Sequence, residues 1–238
     1  MTKETLYLCQ QLHAITNDIT LLTLAPEDEP FISYTPGQFV EAIFNDGIVL
    51  PLSIANTPKP DGELEFHIRH NEEHPYAQDF LTSLRKEKKV LLRGPFGMST
   101  LARANDAPKI VFVAGGTGFT PIKALLEAAL CQLGLKTKIE LYWGIRKPED
   151  AYKLSLLQEW KQCFAHFSFD LVLSEPEHFP EWTGKKGFVH EYVAGIYPNF
   201  DKEVVFASGP YSMIKAAFSL FGQQGLSKRQ FISDMLSA

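Results

Sequence analysis

The stretch of this chain best suited to chemistry runs from Lys109 to Leu126. An apolar strand, Ile110 to Ala114, empties into Gly115-Gly116-Thr117-Gly118-Phe119-Thr120-Pro121 and then into a helical pattern. Such a turn can grip a dinucleotide. Small residues let the backbone approach a pyrophosphate, and the N–H groups and positive dipole end of the following helix face its charge. Thr120 is placed to cap that helix and Pro121 to open it, where no N–H is needed. Gly116-x-Gly118 is followed by Pro121 rather than by a third glycine, so the dinucleotide fingerprint is incomplete. A glycine-rich strand-to-helix turn without a ligand shares this local pattern, and the surrounding elements must decide.

Those elements change character near Gly97. Before it, short alternating runs separated by turn residues predict antiparallel β-structure. The runs are Ile19 to Leu24, Phe39 to Phe44, Ile48 to Leu50, Glu63 to Arg69 and Val90 to Leu92, with Asn45-Asp46-Gly47 as a hairpin turn. About six strands in roughly a hundred residues predict a small closed barrel, which removes exposed edges. One short helix is expected between its last two strands, over Tyr76 to Leu84. After the polar connector Arg103 to Pro108, strands alternate with helices: strands Ile110–Ala114, Ile139–Trp143, Phe169–Leu173 and Val204–Ala207. The first helix carries an apolar stripe from Ile122 to Leu133, and others are expected over Tyr152–Lys161, Val189–Ala194 and Tyr211–Phe221. This alternation predicts a parallel sheet covered on both faces, with ligands outside the carboxyl ends of its strands. Three turns fall there: Gly115 to Thr120, Trp143 to Arg146, and Ser208 to Tyr211. The expected domains are residues 1–103, a β-barrel, and 108–238, an α/β nucleotide-binding unit.

Composition fits such a two-domain protein. The chain has 238 residues, 45% hydrophobic and 21% charged, with a net charge of −5. That length allows two domains with a core each, and the mild acidity gives no electrostatic reason to bind nucleic acid or an anionic membrane. No apolar run approaches the roughly 18 residues of a membrane span, and Met1-Thr2-Lys3-Glu4 does not open a secretory signal. The cysteines, Cys9, Cys131 and Cys163, form no C-x-x-C pair and no disulfide framework, so a cytoplasmic, reducing compartment is expected. Each reads as a buried small hydrophobe. His67, His70 and His74 cluster in sequence but lack recognised zinc spacing, and no metal is expected.

The chain resembles the ferredoxin-NADP reductase superfamily and, within it, the small bacterial NAD(P)H:flavin oxidoreductases. The resemblance rests on the order of several segments: Pro36-Gly37-Gln38-Phe39, Pro51-Leu52-Ser53-Ile54-Ala55-Asn56, Leu64 to Arg69, and Gly94-Pro95-Phe96-Gly97. It continues through Gly115 to Pro121, Leu141 to Arg146, and Gly209-Pro210 with Met213. It implies hydride transfer from nicotinamide C4 to flavin N5, with the protein positioning and polarising the two rings. Ser53 would direct its hydroxyl toward N5 as the catalytic residue, in a flavin site of Pro51, Leu52, Ser53, Ile54, His67 and Ile68. NAD(P)H would lie on Gly115, Gly116, Thr117, Gly118, Phe119 and Thr120, with Gly209 and Pro210 at the nicotinamide end. Arg146 reads either as a phosphate or ribose contact or as a surface charge at a strand end.

Two departures matter. Leu50 stands where the family pattern has an arginine that forks onto a flavin phosphate, and Leu52 replaces an aromatic residue. The expectation is a dissociable flavin (riboflavin, FMN or FAD) recognised through its ring, with Arg69 or Arg93 as the candidate replacement cation. Reduced flavin would pass to a flavin-dependent monooxygenase or to ferric iron. The alternatives are an FAD-holding electron-transfer reductase for an iron–sulfur partner, and a non-catalytic nucleotide-binding regulatory module. Ser174-Glu175 argues against a 2′-phosphate, and Lys185-Lys186 argues for one.

Overall fold

The computed structural model describes residues 3–45, 47–72, 74–104, 107–132 and 137–236. Met1 and Thr2, Asp46 of the expected hairpin turn, Asn105 and Asp106 of the connector, and Leu133 of the helical stripe lie outside the described residues.

The first sheet contains β1 (Lys3–Ala14), β2 (Ile19–Pro26), β3 (Phe39–Phe44), β4 (Ile48–Ser53), β5 (Leu64–Arg69) and, after helix α1 (Pro75–Glu87), β6 (Lys89–Phe96). Its order is β4-β3-β6-β1-β2-β5, and every pairing is antiparallel. The sheet curls into a half-barrel whose edges, β4 and β5, meet where the Ala55 N–H donates to the Glu65 carbonyl at 2.7 Å. Alternation sets the faces: Val40, Ala42 and Phe44 of β3 point into the core, as the period of two requires. Helix α1 plugs the barrel with Phe80, Leu81 and Leu84, and it runs beyond the expected Tyr76–Leu84 at both ends. Pro75 opens it, and Lys88, at φ 59°, closes it by donating its N–H to the Leu84 carbonyl.

The second sheet contains β7 (Lys109–Gly115), β8 (Lys138–Ile145), β9 (Phe167–Leu173), β10 (Lys185–Lys186), β11 (Glu203–Ser208) and β12 (Phe231–Ile232). All its pairings are parallel, in the order β10-β9-β8-β7-β11-β12. Helices α2 (Phe119–Glu127), α3 (Leu154–Cys163), α4 (Val189–Ile196) and α5 (Tyr211–Gln223) cover it. Ile110, Phe112 and Ala114 of β7 face a core shared with α2 and α3, while Val111 and Val113 face one shared with α4 and α5. This is why β7 reads as an unbroken apolar run. Helix α2 continues into a wider π-type turn over Ala128–Gln132.

The cysteines depart from expectation. Cys9 is half-buried on β1, but Cys131 and Cys163 are exposed, because each lies at the carboxyl end of its helix and the helix turns it to solvent. Among the described residues, no helix is long and apolar enough to cross a membrane.

Candidate functional site

The strand order reverses between β7 and β11, so their carboxyl ends stand side by side with a turn leaving each. The two turns touch. A Cβ on Gly118 would lie 2.2 Å from the Ser208 carbonyl oxygen, and one on Gly209 would lie 3.0 Å from the Gly115 Cα. Gly209, which lines the cleft, is therefore required where backbone meets backbone. Gly116 takes φ +53°, and its carbonyl accepts a 2.9 Å hydrogen bond from the Trp143 indole N–H. Beneath the turn, Trp143 stacks on Phe119 at 4.0 Å and 17°.

The helix after the turn starts differently from expectation. Gly116 to Gly118 form a 3₁₀ turn that runs directly into α2, and Gly118 already has helical angles. Thr120 is thus the second residue of α2 rather than its cap, and its hydroxyl sits 3.5 Å from the His67 carbonyl of the barrel. Pro121 is the third residue, still within the turn where no intrahelical N–H is lost.

Between the sheets lies a cleft of about 1420 Å³. It brings together Pro51, Ser53, Gly115, Gly116, Thr117, Gly118, Arg146, Gly209 and Pro210, along with Ser174 and Glu175 at the end of β9. A smaller cavity of about 410 Å³ opens on the barrel wall, lined by Pro51, Leu52, Ser53, His67, Ile68, Thr117 and Thr120. Pro51, Ser53, Arg69, His74 and Thr117 line both, so the cavities share one wall. Of the expected residues, Thr120 lines only the smaller cavity, and Ile54 and Phe119 line neither of the two. The Ile54 side chain is sealed in the barrel core and the Phe119 ring is sealed against Trp143. Lys185 and Lys186 line neither cavity; Lys185 lies over the Tyr192 ring.

The charged groups settle which arginine is near. Arg69 lies at the shared wall with its guanidinium held by Asp18 at 2.6 Å and by Asp150 at 2.9 Å, which links barrel to nucleotide domain. Arg93 pairs with Glu41 at 2.7 Å and lines neither cavity. Burial raises the Asp18 carboxyl, but Arg69 and the Thr16 hydroxyl outweigh it and leave Asp18 below its ordinary value. Leu50 and Leu52 pack against the barrel core, giving the smaller cavity an apolar flank where the family pattern has a cation and an aromatic ring.

A second polar cluster crosses the domains beside β5. The Glu65 carboxylate accepts from His67 Nε2 at 2.8 Å and faces Lys123 at 3.5 Å and Lys153 at 3.8 Å. Burial pushes this carboxyl up, yet the His67 hydrogen bond and the two ammonium groups outweigh it and hold the pKa at about 2. Burial also drives the His67 pKa down, more than Glu65 draws it up, so the imidazole is neutral. With Nε2–H donated to Glu65, Nδ1 accepts from the Tyr152 hydroxyl at 3.0 Å. Lys123 also donates to the Ala55 carbonyl at 3.0 Å, just beyond Ser53. His70 turns away to Thr20, and His74 lines both cavities, so the three histidines do not converge.

Sequence reasoning missed Tyr152, Asp150 and the segment Ile232–Leu236, which lines the cleft while Asp234 accepts the Met98 N–H at 2.8 Å. Phe231-Ile232 and Met235-Leu236, apolar pairs in a polar stretch, are the local signs of that last segment.

Comparison with known proteins agrees with this geometry. Residues 112–218 match the family described as oxidoreductase NAD-binding domain. The chain is 32% identical over 220 residues to the CDP-6-deoxy-L-threo-D-glycero-4-hexulose-3-dehydrase reductase of Yersinia pestis, a match covering 92% of the chain and 65% of that protein. The chain thus spans about two thirds of the length of that relative. The NAD(P)H-flavin reductase of Aliivibrio fischeri is 27% identical over 216 residues, with 89% of each covered. Among solved structures, a ferredoxin NADP+ reductase from Neisseria gonorrhoeae with bound FAD and NADP has the same fold, at a TM-score of 0.79 and 17% identity, with 97% of each chain covered. A half-barrel, a parallel sheet with its glycine turn at the switch point, and a cleft between them give this chain the two-domain fold of a ferredoxin NADP+ reductase, and residues 112–218 of its second half match the oxidoreductase NAD-binding domain.

Proposed function

We propose that this chain is an NAD(P)H:flavin oxidoreductase that moves hydride from nicotinamide C4 to N5 of a flavin held by its ring. The carrying observation is the wall shared by the two cavities, where Ser53 of the barrel and Thr117 of the glycine turn border both. The residues fit the two ligands. Gly115, Gly116 and Gly118 line the cleft without side chains, leaving the backbone of the turn open to a pyrophosphate, and the smaller cavity has an apolar flank for a flat ring. The nicotinamide and flavin rings supply the redox chemistry, and the protein supplies geometry and polarity. Gly115 to Gly118 would hold the pyrophosphate against the backbone, and Ser53 would offer its hydroxyl to the flavin edge. Arg146 and Glu175, both at the cleft, would face the ribose half.

Ring recognition is favoured because the cation nearest the flavin cavity, Arg69, is already held by two carboxylates, and Leu50 offers no charge. The flavin would then be a dissociable substrate, used as riboflavin about as well as FMN, and delivered in reduced form to an oxygenase-type partner. The reductase components among related proteins, such as the xylene/toluene monooxygenase electron transfer component of Pseudomonas putida, support a partner of that kind. The test is NADH and NADPH oxidation at 340 nm with and without riboflavin, FMN or FAD. Oxidation that depends on added flavin, by colourless protein, is expected. Yellow protein that turns over without added flavin would favour the FAD-holding reductase, and no oxidation in any combination would refute the proposal.

A further inference from the structure

Tyr152 leaves the connection between β8 and α3 and reaches both halves of the molecule. Toward the barrel, its hydroxyl donates to His67 Nδ1 at 3.0 Å, and its ring meets the imidazole edge-on at 5.2 Å. Toward the nucleotide domain, the same ring packs edge-on against Trp143 at 5.3 Å and Phe119 at 6.2 Å. Trp143 in turn holds the Gly116 carbonyl, and His67 sits on the strand that lines the flavin cavity. One side chain therefore spans the two surfaces that carry the two proposed ligands. Its partner is also fixed: the Glu65 hydrogen bond keeps the imidazole in the tautomer whose Nδ1 can accept.

We propose that Tyr152 is a positioning residue that sets the depth of the glycine turn against the flavin strand, and so the separation of the two rings. This rests on the flavin oxidoreductase reading of the cleft. Tyr152 lines neither cavity; it acts through His67 on one side and Trp143 on the other. A ring separation wrong by an ångström slows hydride transfer far more than it weakens binding of either ligand.

The experiment compares wild type with Tyr152→Phe, which keeps the ring and deletes the oxygen. With flavin and NADH, kcat is expected to fall about tenfold to a hundredfold while the KM for NADH and the riboflavin Kd, read by fluorescence quenching, change less than about twofold. The primary isotope effect with 4-deuterated NADH is expected to rise. Hydrogen exchange without ligands gives a readout independent of turnover: amides of Gly116 to Phe119 and of β5 should exchange about tenfold faster in the variant, with the thermal midpoint close to wild type. Unchanged kcat and isotope effect in the folded variant would overturn the proposal, as would a large KM rise at constant kcat. Unchanged exchange at both segments would overturn it even if wild type shows no flavin-dependent oxidation. In that last case the failure of the activity itself would be read separately, from wild type alone.

Discussion

Replacing Glu65 by glutamine tests the electrostatic account of the domain interface. The side chain is 20% exposed, and its carboxylate accepts from His67 and faces Lys123 and Lys153. Its pKa of about 2 lies below the ordinary 4.5, so the native state prefers the charged form. That displacement corresponds to about 3 kcal/mol of stability. Because the folded value is the lower one, the contribution is complete above the unfolded pKa and disappears as pH falls through the folded one. Glutamine keeps an acceptor for His67 but has no charge to titrate. Urea unfolding should therefore show Glu65→Gln destabilised by about 3 kcal/mol at pH 7, a gap that persists to about pH 5 and shrinks by about half or more as pH 3 is approached. A gap below about 1 kcal/mol at neutral pH, or one that stays constant between pH 5 and pH 3, would refute the reasoning.

Three further substitutions address the proposed chemistry. Leu50→Arg should lower the KM for FMN about tenfold relative to riboflavin, since a guanidinium there offers a forked bond to a phosphate, and steady-state kinetics with both flavins checks it. Ser53→Ala should reduce the hydride-transfer rate about tenfold to a hundredfold in stopped flow, with little change in flavin Kd, because the hydroxyl acts on the reacting edge. Glu175→Ser removes the carboxylate at the ribose end of the cleft and should raise kcat/KM for NADPH about tenfold relative to NADH, read from the ratio of the two.

Much of this architecture was legible because local pattern and tertiary fold agree. The alternation in β3 and the unbroken apolar run of β7 identify a half-solvated sheet and a doubly covered one, and the glycine turn sits between strand and helix as its chemistry requires. Strand β1 was harder to read. Its twelve residues include Gln10-Gln11, and the register against β2 shifts between Cys9 and Gln11, which interrupts the period. The two-residue strands β10 and β12 are too short to carry any period. Tyr152 was invisible for a different reason: the group that gives it meaning, His67, is 85 residues away in sequence, and nothing nearby distinguishes it from another aromatic residue in a polar connection. Ile54 and Phe119 show the converse, since a motif fixes a position along the chain but only packing decides which side chains face a cavity.

The hydrogen bond from Met98 to Asp234 joins residues 136 positions apart. In order of synthesis, all six strands of the half-barrel have emerged long before Asp234 does, so the first sheet can pair while its own rim at Gly97 and Met98 still lacks a partner. Because domains fold as units from the amino terminus during synthesis, the barrel wall of the cleft can form before the segment after β12 supplies its closing edge. A nascent or truncated chain ending before Phe231 would hold a paired barrel and a glycine turn but an open cleft.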